Sequence, residues 1–224
     1  MSTLAGGSRG NADGTGEQAQ FCHPKGLALC PDGSLVLADS EGHRIRRVDR
    51  CGVTTTVAGS RKGYRDGPLA TARFSSPQDV AVASDGVIYI ADSGNARIRQ
   101  ICPLTGIVSA LAGSGKQACS DASGVAAAFR RPVALHLDEP RRSLYVGEEA
   151  AVRAVTVSTA RDRRTTPRFM FLGLRILLAQ ARANLRVARP NDARENQHVL
   201  HQAIDFLLVQ CSDDVFEYAM RFVS

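Results

Sequence analysis

The feature that most constrains this 224-residue chain is a phrase that occurs twice. LVLADSEGHRIRRV begins at Leu35, and the closely similar VIYIADSGNARIRQI begins at Val87. Equivalent positions of these two copies are 53 residues apart, and a third, weaker copy follows about 53–56 residues later. Self-similarity at a fixed period of this size indicates structural units that stack on one another and bury the same face.

Each copy opens with a Phe-x-x-Pro step, and the first two copies share an Asp-Gly pair followed by an Asp and an Arg. The third copy has DEPRR in place of the Asp-Gly turn and Gly147-Glu148 in place of Ala91-Asp92. The framework positions are Phe21, Pro24, Asp32, Gly33, Asp39 and Arg44 in the first copy, Phe74, Pro77, Asp85, Gly86, Asp92 and Arg97 in the second, and Phe129 and Pro132 in the third. Their regular spacing predicts similar local structure in each copy.

The first copy contains four short β-rich runs, which are GLAL, SLVLAD, HRIRRV and VTTTVAG. Asp-Gly between two such runs is typical of a β-hairpin with a type I′ turn, which needs positive φ at both central positions. The Arg-Ile-Arg runs at 44–46 and 97–99 alternate polar and apolar residues, which predicts a strand buried on one face. Four antiparallel strands in about 53 residues are the content of one β-propeller blade.

On the F-x-x-P-x-G-L-A, D-G-x-L-x-x-A-D and R-I-R motifs and the closing T-T-x-A-G run, the chain resembles the NHL-repeat family, whose copies build β-propellers. The resemblance covers roughly residues 2–157 and implies a mainly β fold, a partial NHL-type propeller of about three four-stranded antiparallel blades. We expect Asp39 with Arg44, and Asp92 with Arg97, to fix the turn between two strands by hydrogen bonds or an ion pair within the blade. Propellers host many unrelated activities, so the resemblance does not by itself give a function.

Three blades over residues 1–157 do not close a ring, because closed propellers have four to eight blades. Two apolar blade faces would then be open to water. Three resolutions follow: the chain is a fragment of a longer repeat protein, its C-terminal part caps one open face, or several chains complete one ring. The open blade edges also predict self-association.

The last third of the chain has a different pattern. A charged linker is expected over residues 158–168, and the apolar spacing over residues 169–224 shifts towards 3.6, which predicts an α-helical segment that acts as a cap or a small bundle. The run VLHQAIDFLLVQ resembles the helical half of BTB adaptor domains, over only a dozen residues. An adaptor, with the propeller binding a client and this tail recruiting other machinery, is therefore one alternative.

Charge and hydropathy indicate an intracellular, cytoplasmic protein without a membrane partner. The net charge of +6 is spread along the chain. A protein that binds nucleic acid typically has a denser basic stripe. The longest apolar run, FMFLGLRILLAQA, is too short to cross a bilayer and contains Arg175. The chain also opens without the charged and apolar pattern of a signal peptide.

Strings that resemble catalytic motifs occur in turn-rich segments. Gly6–Gly10 fits G-x-S-x-G, but it lacks the strand before it and the helix after it that a nucleophile elbow needs. His23, His43 and His136 occupy non-equivalent positions of the repeat, so they form no convergent set of metal ligands. We therefore predict no catalytic residue, cofactor or metal, and a metal-dependent propeller enzyme stays as an unfavoured alternative.

The favoured function is a non-catalytic scaffold that binds a protein partner through the loops connecting the blades, since loops on a rigid scaffold commonly carry function. RNA binding through the same basic loops is the main alternative, with Tyr64 as the aromatic residue for base stacking. The candidate partner-binding residues are Arg9, Arg61, Lys62, Tyr64, Arg65, Arg73, Lys116, Arg130 and Arg131.

Overall fold

The computed structural model describes residues 2–158. The predicted helical segment over 169–224 and the predicted linker beyond residue 158 lie outside the described residues. The described strands are β1 (Ser8–Arg9), β2 (Gly14–Thr15), β3 (Gln20–Phe21), β4 (Pro24–Leu29), β5 (Leu35–Asp39), β6 (Arg44–Val48), β7 (Val53–Ala58), β8 (Gly67–Pro68), β9 (Asp79–Val82), β10 (Ile88–Asp92), β11 (Arg97–Cys102), β12 (Ile107–Ala112), β13 (Ala134–Asp138), β14 (Ser143–Gly147) and β15 (Val152–Thr156). Single 3-10 turns occur at Gly16–Gln18, Ser93–Asn95 and Gly124–Ala126, and no helix in this part of the chain could cross a membrane.

The strands form three antiparallel sheets, one for each copy of the repeat. The first sheet has the order β2-β7-β6-β5-β4, the second β8-β12-β11-β10-β9, and the third β13-β14-β15. Strands β1 and β3 form a separate parallel pair. The described chain is therefore mainly β, as the repeat predicts.

The strand count differs from the predicted four per copy in two ways. The four predicted strands are present in the first two sheets, but a two-residue strand from the preceding loop, β2 or β8, pairs with the outermost long strand and makes a fifth. The third sheet has three strands within residues 2–158, because the described part of the chain ends just after β15.

The Asp-Gly hairpins form with a different turn from the expected type I′. Gly33 N donates to Cys30 O at 2.9 Å, and Gly86 N donates to Ala83 O at the same distance. Gly33 and Gly86 have φ values of 81° and 83°, whereas Asp32 keeps a negative φ. A three-residue connection, a type I turn followed by a left-handed glycine, suits the twist of the flanking strands.

The sheets bury their apolar faces against one another, so that the second sheet is covered on both sides. One cluster joins the first sheet to the second, and its larger members are Val36, Ile45, Phe74, Val80, Ile88, Ile90, Ile101 and Val108. The other joins the second sheet to the third, and its larger members are Val87, Tyr89, Ile98, Phe129, Leu144, Val146 and Val157. This stacking makes the fold β-propeller-like.

The two outer faces expose apolar residues at repeat positions that are buried in the second sheet. Leu27 and Leu29 on β4 are 62% and 67% exposed, whereas the counterpart of Leu27 in the second sheet, Val80, is 3% exposed. Val152 on β15 is 79% exposed, whereas its counterpart Ile98 is fully buried. Exposure therefore depends on whether a neighbouring sheet is present, and not on the residue type.

The third strand of the first two sheets buries central residues on both faces, which corrects the expectation of a half-buried strand. Ile45 and Ile98 lie in the core as their alternation predicts, but Arg46 and Arg99 have no exposed surface either. Since a buried guanidinium needs hydrogen-bond partners, these two arginines point to a feature that the alternation pattern missed.

Candidate functional site

One loop precedes the first long strand of each sheet, which is β4, β9 or β13. The first loop covers residues 6–20, the second loop residues 59–73, and the third loop residues 113–128. Of the nine candidate binding residues, five lie in the second loop, Arg9 and Lys116 lie in the first and third loops, and Arg130 and Arg131 follow the third loop.

In the second sheet, a buried arginine makes four hydrogen bonds, three of them to the second loop. Arg99 Nη1 donates to Arg73 O at 3.1 Å and to Asp92 Oδ2 at 2.8 Å. Its Nη2 donates to Arg65 O at 2.9 Å and to Asp66 Oδ1 at 2.5 Å. The guanidinium therefore joins the end of β10 to both arms of the loop.

The first sheet repeats this arrangement. Arg46 Nη1 donates to Gln20 O at 2.9 Å and to Asp39 Oδ2 at 3.2 Å. Its Nη2 donates to Ala12 O and to Asp13 Oδ1, both at 2.9 Å. Each residue that takes part has a counterpart in the second arrangement, 53 residues later in the sequence.

The third sheet repeats it with one change. Arg153 donates to Ala128 O at 2.6 Å, to Ser120 O at 2.9 Å and to Asp121 Oδ1 at 2.8 Å. Glu148 replaces the strand-end aspartate, and its Oε2 lies 3.7 Å from Arg153 Nη1.

We call this repeated unit the arginine clamp: a strand arginine (Arg46, Arg99 or Arg153), a strand-end acid, a loop aspartate and two loop carbonyls. The framework phenylalanine lies against each guanidinium, with 5.1 Å from Arg46 to the ring of Phe21, 5.1 Å from Arg99 to Phe74, and 4.5 Å from Arg153 to Phe129. Charge-assisted hydrogen bonds and cation–π contact both stabilise the loop backbone.

The strand-end acid also binds the chain just after the phenylalanine. Asp39 Oδ1 accepts from Cys22 N at 2.7 Å, and Asp92 Oδ1 accepts from Ser75 N at 2.8 Å. Burial raises the pKa of Asp39 and of Asp92, and this effect outweighs the lowering by their N–H donors and by the clamp arginines. An unpaired carboxylate would be costly here, so the clamp arginine is needed for the ionised acid.

The ion pairs of Asp39 and Asp92 are made with arginines two residues beyond Arg44 and Arg97, the partners expected from the sequence. Arg44 Nη1 instead donates to Gly42 O at 2.9 Å within the turn. Arg97 donates to two backbone carbonyls, at 3.1 Å to Asn95 O and at 2.7 Å to Ser114 O. A sequence signal for the clamp existed, since the arginines at 46, 99 and 153 and the aspartates at 13, 66 and 121 recur with the period of the repeat.

The second loop carries four cations, and its tyrosine contacts two arginines of β11. Arg61, Lys62 and Arg65 are exposed, and Arg73 is half-buried. Tyr64 is 44% exposed, with the guanidinium of Arg97 only 4.0 Å from its ring centre and that of Arg99 at 4.8 Å. Its hydroxyl donates to Asp66 Oδ2 at 3.0 Å, and burial raises the pKa of this tyrosine.

The remaining candidate residues are dispersed. Arg9 pairs with Glu41 and donates from Nε to Cys22 Sγ at 3.3 Å. Lys116 is exposed at the start of the third loop. Arg130 and Arg131 are exposed, and their backbone N–H groups donate to Glu148 Oε1 at 2.6 Å and 3.0 Å. Five of the nine candidates thus lie in the second loop, and the other four lie outside it.

The histidines do not converge on one point. His43 Nδ1 accepts from Ser76 N at 3.1 Å, and burial together with the nearby Lys62 lowers the pKa of His43. His23 lies 3.9 Å from Glu41 and is largely exposed. Within residues 2–158, no group of three or more His, Cys, Asp or Glu side chains could hold a metal ion.

Comparison with known proteins finds a family model that matches two copies of the repeat. A family model described as NHL repeat matches residues 21–48 and 74–101. Over 96 residues the chain is 36% identical to the Arabidopsis thaliana protein SUPPRESSOR OF QUENCHING 1, chloroplastic. This match covers 41% of this chain and 9% of that protein. Over 100 residues it is 39% identical to NHL repeat-containing protein 2 of Gallus gallus, covering 44% of this chain and 14% of that protein.

A solved structure shows the same fold. A Bacteroides thetaiotaomicron protein of unknown function superposes with a TM-score of 0.55 and 25% identity, over 58% of this chain and 34% of that chain. The chain therefore spans only a small part of the curated relatives and about a third of this structural neighbour.

Proposed function

We propose that this chain, which contains NHL repeats, is a non-catalytic scaffold that binds a protein partner through its inter-blade loops. In this proposal the three sheets are blades of a partial NHL-type β-propeller, and the first, second and third loops present the binding surface. The observation that carries the proposal is the arginine clamp, which fixes the backbone of all three loops in the same way.

The clamp separates the role of the loop backbone from the role of the loop side chains. Two carbonyls and one aspartate of each loop are bound by a single buried or nearly buried guanidinium. The other loop side chains can differ without disturbing the loop backbone, as they do in the binding loops of antibodies, which a rigid β-sandwich supports. Binding to an ordered loop also costs less conformational entropy than binding to a mobile one.

RNA binding is the second candidate, because the second loop carries several cations. Single-strand recognition also uses exposed aromatic rings on which bases stack. The one tyrosine of this loop already has the guanidinium of Arg97 at 4.0 Å from its ring centre. This geometry favours a protein partner over RNA.

The lysines of this chain give a direct test. The sequence has three, of which Lys62 and Lys116 lie in the second and third loops and Lys25 lies on β4. The complex captured by the full chain from its source cells is treated with an amine-reactive crosslinker, and the crosslinked peptides are identified by mass spectrometry. We expect crosslinks to a protein partner at Lys62 and Lys116. Crosslinks at Lys25 alone, or capture of RNA that ribonuclease removes together with all bound protein, would contradict the proposal.

A further inference from the structure

We infer that the second loop recognises an acidic peptide segment of the partner. This inference rests on the proposed function and names the chemistry of one of its three loops. Three observations support it: the loop is positively charged, its cations make no ion pair within the described chain, and hydrogen bonds order its backbone.

The three loops share one frame but differ in charge. The first loop, residues 6–20, has one basic and two acidic side chains, so its formal charge is 1 − 2 = −1. The third loop, residues 113–128, has one of each, which gives 1 − 1 = 0. The second loop, residues 59–73, has four basic and one acidic, so its charge is 4 − 1 = +3. The second loop is thus the cationic member of an otherwise similar set.

The positive charge of the second loop is not neutralised within the described chain. Its single acid, Asp66, is already bound by Arg99 and by the hydroxyl of Tyr64. Within residues 2–158, Arg61, Lys62, Arg65 and Arg73 make no side-chain ion pair, and Lys62 lowers the pKa of the neighbouring His43 by repulsion. An anionic partner would relieve this repulsion.

The loop backbone that carries these cations is ordered by contacts of its own. Gly63 N donates to Phe74 O at 2.9 Å, and Asn95 Nδ2 donates to Gly63 O at 2.9 Å. Arg65 and Arg73 pair through their backbones, at 3.4 Å and 3.1 Å. With the clamp, these bonds fix the backbone from which the cations project, which reduces the entropy cost of binding.

Three of the four cations are arginines, which can bind anionic ligands through two parallel hydrogen bonds. A guanidinium presents a planar fork of donors that matches a carboxylate bidentately. Glutamate and aspartate side chains of an extended peptide would supply such carboxylates in a row. The guanidinium of Arg97 lies over the Tyr64 ring, 4.0 Å from its centre, and would compete with a stacked base, so we argue for an acidic peptide rather than RNA.

The test measures binding of the full chain to two labelled probes by fluorescence anisotropy. The probes are an octaglutamate peptide and a twelve-nucleotide uridine RNA. The variant R61E/K62E reverses two exposed charges that take no part in the clamp. The control for a charge reversal elsewhere is R50E, which changes the net charge by −2 where R61E/K62E changes it by −4. Arg50 is an exposed arginine in the turn before β7, at the opposite end of that strand from the second loop. Circular dichroism and the urea midpoint establish that both variants fold as the unchanged chain does.

We expect octaglutamate binding that weakens as salt rises, falls about 10-fold or more in R61E/K62E, and changes less than about 2-fold in R50E. Octaglutamate binding that is absent, or that R61E/K62E and R50E reduce equally, overturns the inference. Uridine RNA that binds more tightly than octaglutamate and loses affinity in R61E/K62E also overturns it, in favour of RNA. If the inference fails while the partner still crosslinks at Lys62 and Lys116, the proposed function survives; if those crosslinks also fail, both are wrong.

Discussion

The arginine clamps of the second and third sheets have the same parts in different surroundings. Arg99 and Asp92 are fully buried and lie 2.8 Å apart. Arg153 is 12% exposed, and its nearest approach to Glu148 is 3.7 Å. The loop acid differs too, since Asp66 is 39% exposed and the third-loop acid is 95% exposed.

Two causes explain the looser third clamp. The second sheet is covered on both faces, whereas the third sheet is open on the side of Val152. In addition, the longer side chain of Glu148 places one oxygen on the N–H groups of Arg130 and Arg131, which leaves the other oxygen farther from Arg153. The comparison teaches that the stabilisation from one repeated motif depends on the neighbouring sheet as much as on the motif itself.

The largest expected effect is loss of the second clamp. Arg99→Met leaves Asp92 buried without a cation and frees two loop carbonyls, so we expect the free energy of unfolding to fall by about 3–5 kcal/mol. Urea denaturation followed by circular dichroism measures it. Arg97→Met is the control, because Arg97 donates hydrogen bonds to carbonyls and stacks on Tyr64 but pairs with no buried acid, and its effect should be clearly smaller. Equal losses for the two variants would refute the role given to the clamp.

A second prediction concerns the neighbouring apolar position in the same two strands. Ile98→Ala removes a fully buried side chain and should cost about 2–4 kcal/mol, whereas Val152→Ala should change stability by less than about 0.5 kcal/mol. Urea midpoints of the two variants give the difference. If Val152→Ala costs as much as Ile98→Ala, something covers the outer face of the third sheet.

A third prediction sharpens the comparison between the clamps. Arg153→Met frees two loop carbonyls and leaves the buried Glu148 without its cation, but this pair is 3.7 Å apart and Asp121 is 95% exposed, so we expect a loss of about 1–3 kcal/mol, smaller than for Arg99→Met. The loss should shrink further in high salt, whereas that of Arg99→Met should not. Thermal and urea unfolding at two salt concentrations check both statements, and a loss as large as that of Arg99→Met would contradict them.

The smallest expected effect involves the joint between the second and third sheets. Asp79 Oδ2 accepts from Leu135 N at 2.7 Å, and burial raises the pKa of Asp79 above its ordinary value. A carboxyl whose folded pKa is raised binds a proton more readily in the folded state, so its contribution is most favourable at low pH and is lost as pH rises through the folded pKa. Asp79→Asn keeps an acceptor and removes this dependence. Its stability relative to the unchanged chain should rise between about pH 4 and neutral pH, as followed by urea midpoints; a constant difference would show that Asp79 does not titrate in this way.

Much of the strand framework could be predicted from the sequence, because the repeat places the same short β-runs at the same spacing. The Asp-Gly hairpins follow from local chemistry, although the left-handed glycine alone, and not Asp32, takes positive φ. The short fifth strands β2 and β8 could not be predicted, because two-residue runs such as Gly67–Pro68 carry no periodicity.

The clamp could not be derived from alternation, because that argument assumes that one face of the strand meets water. Arg46 binds Gln20 and Ala12, which are 26 and 34 residues away, and such partners depend on how the loop folds back over the sheet. For the same reason the candidate site was predicted only as a set of basic loop residues. That Arg61, Lys62, Arg65 and Arg73 share one loop is visible in the sequence, whereas the pairing of Arg9 with Glu41 became visible only in three dimensions.

Native-state hydrogen exchange in Arg99→Lys tests the central claim most directly, since lysine keeps the charge but lacks the four-point reach of the guanidinium. The amides of Gly63, Arg65 and Arg73 are hydrogen-bonded within the second loop. If the clamp holds this loop, these three amides should exchange faster in the variant while those at the centre of β10 remain protected. Unchanged exchange at the three loop amides would contradict the account.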